Sequence, residues 1–275
     1  MAEITAAMVK DLRERSGLPM MECKQALTET GGDMAAAMEL LRKRGAAAAE
    51  KKVGRATGEG RIGRYRDENR AALAEVLCET APVSNNPIFR DLADGIAGAA
   101  ALSGKTDSAA ILAEKTPTGG TAQDLLHDAV NRLRENMQVG RVIVAQGRTG
   151  VYVHHNGRVA VMIQVEGSGG DDQLLSEICM HIAFAQPQGI TRADIPADEV
   201  QREEALSREQ ILQSGKPANL VDKILSGKMD RWYSERVLLE QPFVKDDKKT
   251  VGQVLQEAGI QVTRFWRLQV GEASA

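Results

Sequence analysis

Four histidines, three cysteines and a few adjacent carboxylates carry the reactive groups of this 275-residue sequence. A metal site would need three or four of them at ligand spacing, and a nucleophile would need a base within reach. His127 and His181 each stand alone in runs of helical periodicity. His154-His155 falls at a hairpin turn, and adjacent side chains on a strand point to opposite faces, a poor geometry for joint chelation. His181, beside Cys179 and Met180, reads as a buried, satisfied side chain. Cys23, Cys78 and Cys179 lie far apart, which argues against a disulfide framework and fits a reducing cytoplasm. Asp171-Asp172, Glu203-Glu204 and Asp246-Asp247 are chain neighbours that do not converge on a substrate, so they read as caps or surface. The glycine-rich "GSGGDD" at 167–172 links a strand to a helix capped by Asp171 or Asp172. The phosphate loop G-x-x-x-x-G-K-[ST], H-E-x-x-H and G-x-S-x-G are missing from the sequence. No metal, cofactor or catalytic group is expected, and the sequence points to a binding protein rather than an enzyme.

Composition narrows what is bound. Hydrophobic residues make up 43 % and charged residues 27 %, ordinary values for a soluble globular chain. No run approaches the roughly 18 apolar residues of a membrane span. The start, "MAEITAAMVKDLRERSG", is charged early, so no export signal is expected. Net charge is −3, which does not suit a polyanion binder. Between Arg42 and Arg66, however, Lys43, Arg44, Lys51, Lys52, Arg55, Arg61 and Arg64 face only Glu50 and Glu59. That patch reads as a solvated linker, with phosphates or an acidic partner as the alternative. Aromatics are only 3 %, too few for base-stacking platforms.

These groups must be positioned by an α+β chain. Residues 1–52 read as three short helices: one capped by Thr5 and stopped by Gly17, one with Pro19 in its first turn, and one from Asp33 to a basic end before Gly45. The alanines after Gly45 are compatible with an extension of the third helix, and the Gly and Lys content after them reads as a linker. Residues 53–140 read as a first core half, with "GRIGRYR" and "RAALAEVLCE" as a hairpin, then helices. Residues 141–275 read as a second half. There "TGVYVHH" and "RVAVMIQVE" flank Asn156-Gly157, a strong hairpin signal. Overlaying the two second strands puts Ala71 on Ala160, Glu75 on Gln164 and Val76 on Val165, which suggests an internal repeat. "TAQDLLHDAVNRLRENMQ" is an amphipathic helix between them. Two helices at about 196–236, broken at Ser214-Gly215-Lys216-Pro217, form a hairpin that projects from the body.

One loop stands out. "LCETAPVSNN" at 77–86 ends the best strand, and Pro82 is expected to hold Ala81 extended.

The run "VKDLRERSGLPMMECKQALTETGGDMAAAMELLRKRG" closely resembles the start of bacterial elongation factor Ts. It carries Ser16-Gly17, Met20-Met21-Glu22-Cys23-Lys24-Gln25-Ala26-Leu27 and Gly32-Asp33. "AEVLCET", "MHIAFAQP", "QSGKP" and "LLEQPFVKDDKKTVGQVLQE" extend the resemblance along nearly the whole chain. It implies a three-helix unit of ubiquitin-associated type, a two-part core of antiparallel sheets with helices, and a coiled-coil hairpin. It implies a further C-terminal module that is short or missing here. The implied activity is release of GDP from elongation factor Tu, bound in its GDP-loaded and nucleotide-free states. No direct nucleic-acid or membrane contact is implied, the location is cytoplasmic, and the assembly is a homodimer or a heterotetramer with the partner. On matching positions, Arg13, Met20, Met21 and His154 are implied contacts, with one of the two methionines expected to face inward. The family's exchange loop reads Thr-Asp-Phe-Val, whereas this chain has Thr80-Ala81-Pro82-Val83, so only Thr80 and Val83 carry over. A loop without the carboxylate and the ring must work through a stiff backbone and the methyl groups of Ala81 and Val83. The alternative is a paralogue that holds elongation factor Tu as a chaperone or assembly subunit and exchanges weakly.

Overall fold

The computed structural model describes residues 3–214 and 217–272. Three helices open the chain: α1 (Ala6–Ser16), α2 (Met20–Glu29) and α3 (Met34–Glu50). Thr5 caps α1 and Asp33 caps α3, while Pro19 is the residue before α2 rather than in its first turn. Leu12, Cys23, Ala26, Leu27, Ala37 and Leu41 fill the small core between them. The expected stop before Gly45 does not occur. Gly45 is the point where α3 crosses a later helix, and a Cβ there would meet Asn131 at 2.9 Å. The glycine therefore permits close helix packing instead of ending the helix.

The first sheet is β1 (Glu59–Arg66), β2 (Arg70–Cys78) and β3 (Met137–Gln146), all antiparallel, with β2 in the centre. The second is β4 (Thr149–Val153), β5 (Val159–Glu166) and β8 (Gln261–Gln269), with β5 in the centre. A two-stranded ribbon, β6 (Pro242–Phe243) and β7 (Asp246–Thr250), lies between β5 and β8 in sequence. No strand was expected at 137–146. The expected boundary at 140 therefore falls inside β3.

Alternation along the central strands builds three layers of core. Ala72, Ala74 and Val76 face helices α5 (Pro87–Ser103) and α7 (Ala122–Leu133). Val161, Ile163 and Val165 face α8 (Asp172–Ala185) and α11 (Val251–Glu257). The opposite faces, Ala71 and Leu73 on one sheet and Ala160 and Met162 on the other, pack together. Two short helices, α4 (Ala81–Ser84) and α6 (Ser108–Leu112), complete the first half. The repeat reaches into detail. The β2–β3 ladder shifts register between Ala74 and Val76, and the β5–β8 ladder shifts between Gln164 and Val165. Glu75 and Gln164, paired by the overlay, mark the two shifts. Glu75 there accepts from Arg141 Nε at 2.9 Å and from the Gly271 N–H at 3.1 Å, tying the first sheet to the strand end of the second.

Helices α9 (Ala197–Gln213) and α10 (Val221–Arg236) form the hairpin. Ile211, Val221 and Leu225 bury against each other there, in a cluster made by these two helices alone. The Gly215-Lys216 part of the turn signal lies outside the described residues. Among the described residues, no helix is long and apolar enough to cross a membrane.

Candidate functional site

The loop after β2 is a helical turn, not an extended segment. Thr80 is extended (φ −132°, ψ 151°), and Ala81 already belongs to α4. Pro82 sits in the first turn of α4, where its missing N–H removes no helical bond. The extended residue is therefore one position earlier than expected. Ala81 and Pro82 are exposed. Val83 is half-buried and packs on the first-sheet core, so its methyls hold the loop down rather than reach outward.

Hydrogen bonds fix this turn from both ends. Glu135 accepts from the N–H groups of Glu79 (3.1 Å) and Thr80 (3.0 Å) and from the Thr80 hydroxyl (2.6 Å). Ser84 Oγ and Asn85 Nδ2 both donate to the Ala81 carbonyl, at 2.9 and 3.1 Å. Asn86 caps α5 by accepting from Ile88 N at 2.9 Å. At the base, Cys78 Sγ donates to the Thr80 carbonyl at 3.3 Å. Burial, reinforced by the Glu135 charge, pushes the Cys78 thiol up to about 12. It stays protonated, a donor rather than a nucleophile.

The brace comes from residues that sequence periodicity placed inside a helix. Helix α7 stops at Leu133, and Arg134 takes the left-handed conformation at φ 64°. Four successive residues then serve four parts of the molecule. Arg134 Nη2 donates to Glu22 Oε1 on α2 at 2.5 Å. Glu135 holds the loop. The Asn136 N–H donates to Glu79 Oε1 at 2.6 Å, and its side chain donates to the Arg55 carbonyl in the linker at 2.8 Å. Met137 opens β3, opposite Cys78. The β-branched run Val139, Val142, Ile143 and Val144 was the signal that a strand begins here.

The N-terminal unit presents its own surface. Met20 is 51 % and Met21 72 % exposed, so both methionines face solvent and neither is core. Cys23, two residues on, fills the inward position instead. Arg13, on α1, is also exposed. Glu22, next to the methionines, links this surface through Arg134 to the loop.

His154 follows β4, at the start of the β4–β5 turn. Tyr152 Oη and His154 Nδ1 are 2.9 Å apart, and the His154 and His155 rings approach to 4.1 Å. The two side chains do not diverge as strand neighbours would, because β4 ends at Val153 and both residues belong to the turn. His181 is buried, with Nε2 2.9 Å from Gln241 Oε1 and Nδ1 accepting from Val244 N at 3.3 Å. Among the described residues, no three His, Cys, Asp or Glu side chains gather to hold a metal ion.

A braced loop at the end of a central strand, and an exposed methionine pair joined to it through one ion pair, are the features of a protein that acts by gripping another macromolecule. Comparison with known proteins gives that class a family. The family model described as elongation factor TS matches residues 79–272. An elongation factor Ts of Thioalkalivibrio sulfidiphilus is 41 % identical, with 98 % of this chain and 92 % of the relative covered. Those of Methylococcus capsulatus and Halorhodospira halophila are each 42 % identical, with the same coverage. The chain belongs to the elongation factor Ts family.

Proposed function

We propose that this chain binds elongation factor Tu and promotes release of its GDP, without bond chemistry of its own. The observation that carries the reading is the Arg134–Met137 segment, which holds the N-terminal unit and the exchange loop at once. A factor that opens a nucleotide site needs a grip and a wedge at fixed separation. Here Arg13, Met20 and Met21 form the grip, Thr80, Ala81 and Pro82 form the wedge, and His154 contacts a second part of the partner. The units follow suit: a three-helix unit of ubiquitin-associated type over 1–52, two core halves that meet after β3, and a coiled-coil hairpin. The work is done in the cytoplasm, on the GDP-loaded and nucleotide-free partner.

The mechanism is differential binding. The factor binds the nucleotide-free partner more tightly than the loaded one, and reciprocity makes nucleotide expel the factor by the same ratio. The altered loop was the one support for a holding paralogue. Its backbone is braced at Glu135, so placement survives the loss of the carboxylate and the ring, and the family relationship favours exchange. The test is the linkage itself. The complex with nucleotide-free elongation factor Tu, isolated by size exclusion, is expected to dissociate when GDP is added. A complex indifferent to GDP would leave a binding protein and remove the exchange reading.

A further inference from the structure

A hollow of about 230 Å³ opens where the two sheets meet. Arg61 and Arg64 reach it from β1, Arg90 and Asp94 from α5, and His154 and His155 from the β4–β5 turn. The arginines nearby in the chain are paired: Arg55 with Glu79, Arg66 with Asp172 and Arg70 with Asp67. Among the described residues, Arg61, Arg64 and Arg90 have no carboxylate within ion-pair distance. Arg61 Nη1 is buried without a hydrogen-bond partner, whereas buried polar groups are normally satisfied. Burial and the Arg90 charge both push the Arg61 guanidinium below its usual pKa, against the weaker pull of Asp94. Asp94 compensates poorly. Burial raises its own pKa, and its carboxylate already accepts from Arg64 N at 2.8 Å. The turn is shaped for this guanidinium. Gly157 takes φ 72°, and a Cβ there would meet Arg61 Cζ at 2.6 Å.

We infer that this hollow receives a carboxylate side chain of the protein partner, held by the Arg61 and Arg90 guanidiniums with His154 at its rim. Arginine forks match a carboxylate in two-point geometry, and a desolvated guanidinium without an acceptor gains most from one. A nucleic acid fits less well. Its phosphates need a stripe of cations, and a chain of net charge −3 offers here one compact hollow. Position also favours the protein partner. Arg90 N donates to the Asn86 carbonyl at 3.1 Å, so the hollow begins one helical turn from the residue that ends the exchange loop. The inference rests on the exchange-factor reading for the identity of the partner.

The test is the affinity of the full chain for nucleotide-free elongation factor Tu, measured by calorimetry at low and moderate salt. Arg90→Glu and Arg61→Gln are each expected to weaken binding about tenfold at low salt and to flatten its salt dependence, as loss of an interfacial charge pair does. Arg90 is exposed on its helix, so R90E keeps the test decisive if R61Q misfolds. An R90E chain with unchanged affinity and salt dependence overturns the hollow alone. R90E that instead loses binding to a labelled single-stranded RNA, with partner binding intact, assigns the site to phosphate and overturns it too. If the unsubstituted chain does not bind elongation factor Tu, the functional reading fails, and this assignment fails with it.

Discussion

Arg134 Nη2 donates to Glu22 Oε1 at 2.5 Å, joining the helix of the exposed methionines to the segment that braces the loop after β2. The backbone at Arg134 is left-handed, which costs a non-glycine residue about 1–2 kcal/mol. Replacement by glycine relieves that cost and removes a partly exposed ion pair that contributes at most about 1 kcal/mol. Arg134→Gly is therefore expected to leave unfolding stability within about 1 kcal/mol of the parent. The same change uncouples grip from wedge. GDP release at saturating factor is expected to slow about tenfold, as for a misplaced reacting group. Paired denaturant titration and rate measurement check this, and an unchanged rate would remove Arg134 from the brace.

The loop itself offers a gain-of-function test. Ala81 and Pro82 are exposed on α4, and the brace acts on Thr80 and Glu79 rather than on them. Ala81→Asp with Pro82→Phe restores the family tools on a held backbone. An acid in the first helical turn is favourable there. Release of fluorescent GDP is expected to speed several-fold over the unsubstituted chain. No gain would mean that the backbone presents these side chains in the wrong direction.

Met20 and Met21 are outside the core of the three-helix unit, so their truncation tests binding without emptying that core. Met20→Ala with Met21→Ala is expected to weaken partner affinity about tenfold or more, the range of interface anchors. The melting temperature should stay within about 2 °C, since surface changes rarely move stability by more than 0.5 kcal/mol. Equal affinity of the double variant and the parent would take the grip away from these residues.

Much of this surface was legible in the sequence, and the misreadings share a physical cause. Caps at Thr5 and Asp33, the Asn156-Gly157 turn and the two hairpins follow from local chemistry, and all are present. Gly45 was read as a stop because a helix crossing is a tertiary event. Arg134 and Glu135 were read as helical because they continue the polar face of the amphipathic period before them. Only Glu22 and the N–H groups of Glu79 and Thr80, all far away in the chain, show why the helix stops short. The two methionines were assigned one inward face, which Cys23 occupies.

Acid sensitivity has a specific source in His181. Val244 N–H donates to its Nδ1, which leaves the proton on Nε2 facing Gln241. Burial pushes its pKa below the ordinary 6.5, against the hydrogen bond it donates to Gln241 Oε1, which raises it. The unfolded chain then takes up a proton before the folded one. Stability from this residue is full above about pH 6.5 and falls as pH drops toward the folded pKa, by at most about 1.4 kcal/mol per pH unit. Carboxylates held low, such as Glu75, act only below about pH 4.5, outside this window. Melting temperatures between pH 7 and pH 5 should therefore fall less steeply for His181→Gln than for the parent. Parallel curves would place the acid sensitivity elsewhere.

The central claim, that a braced loop lacking the family's acid and ring still opens the partner's nucleotide site, is tested most directly by stopped flow. Elongation factor Tu loaded with fluorescent GDP is mixed with excess unlabelled GDP and increasing amounts of this chain. Release is expected to accelerate with factor concentration and to saturate, and to slow about tenfold with Arg134→Gly. Release at the intrinsic rate at every concentration of factor would contradict the claim.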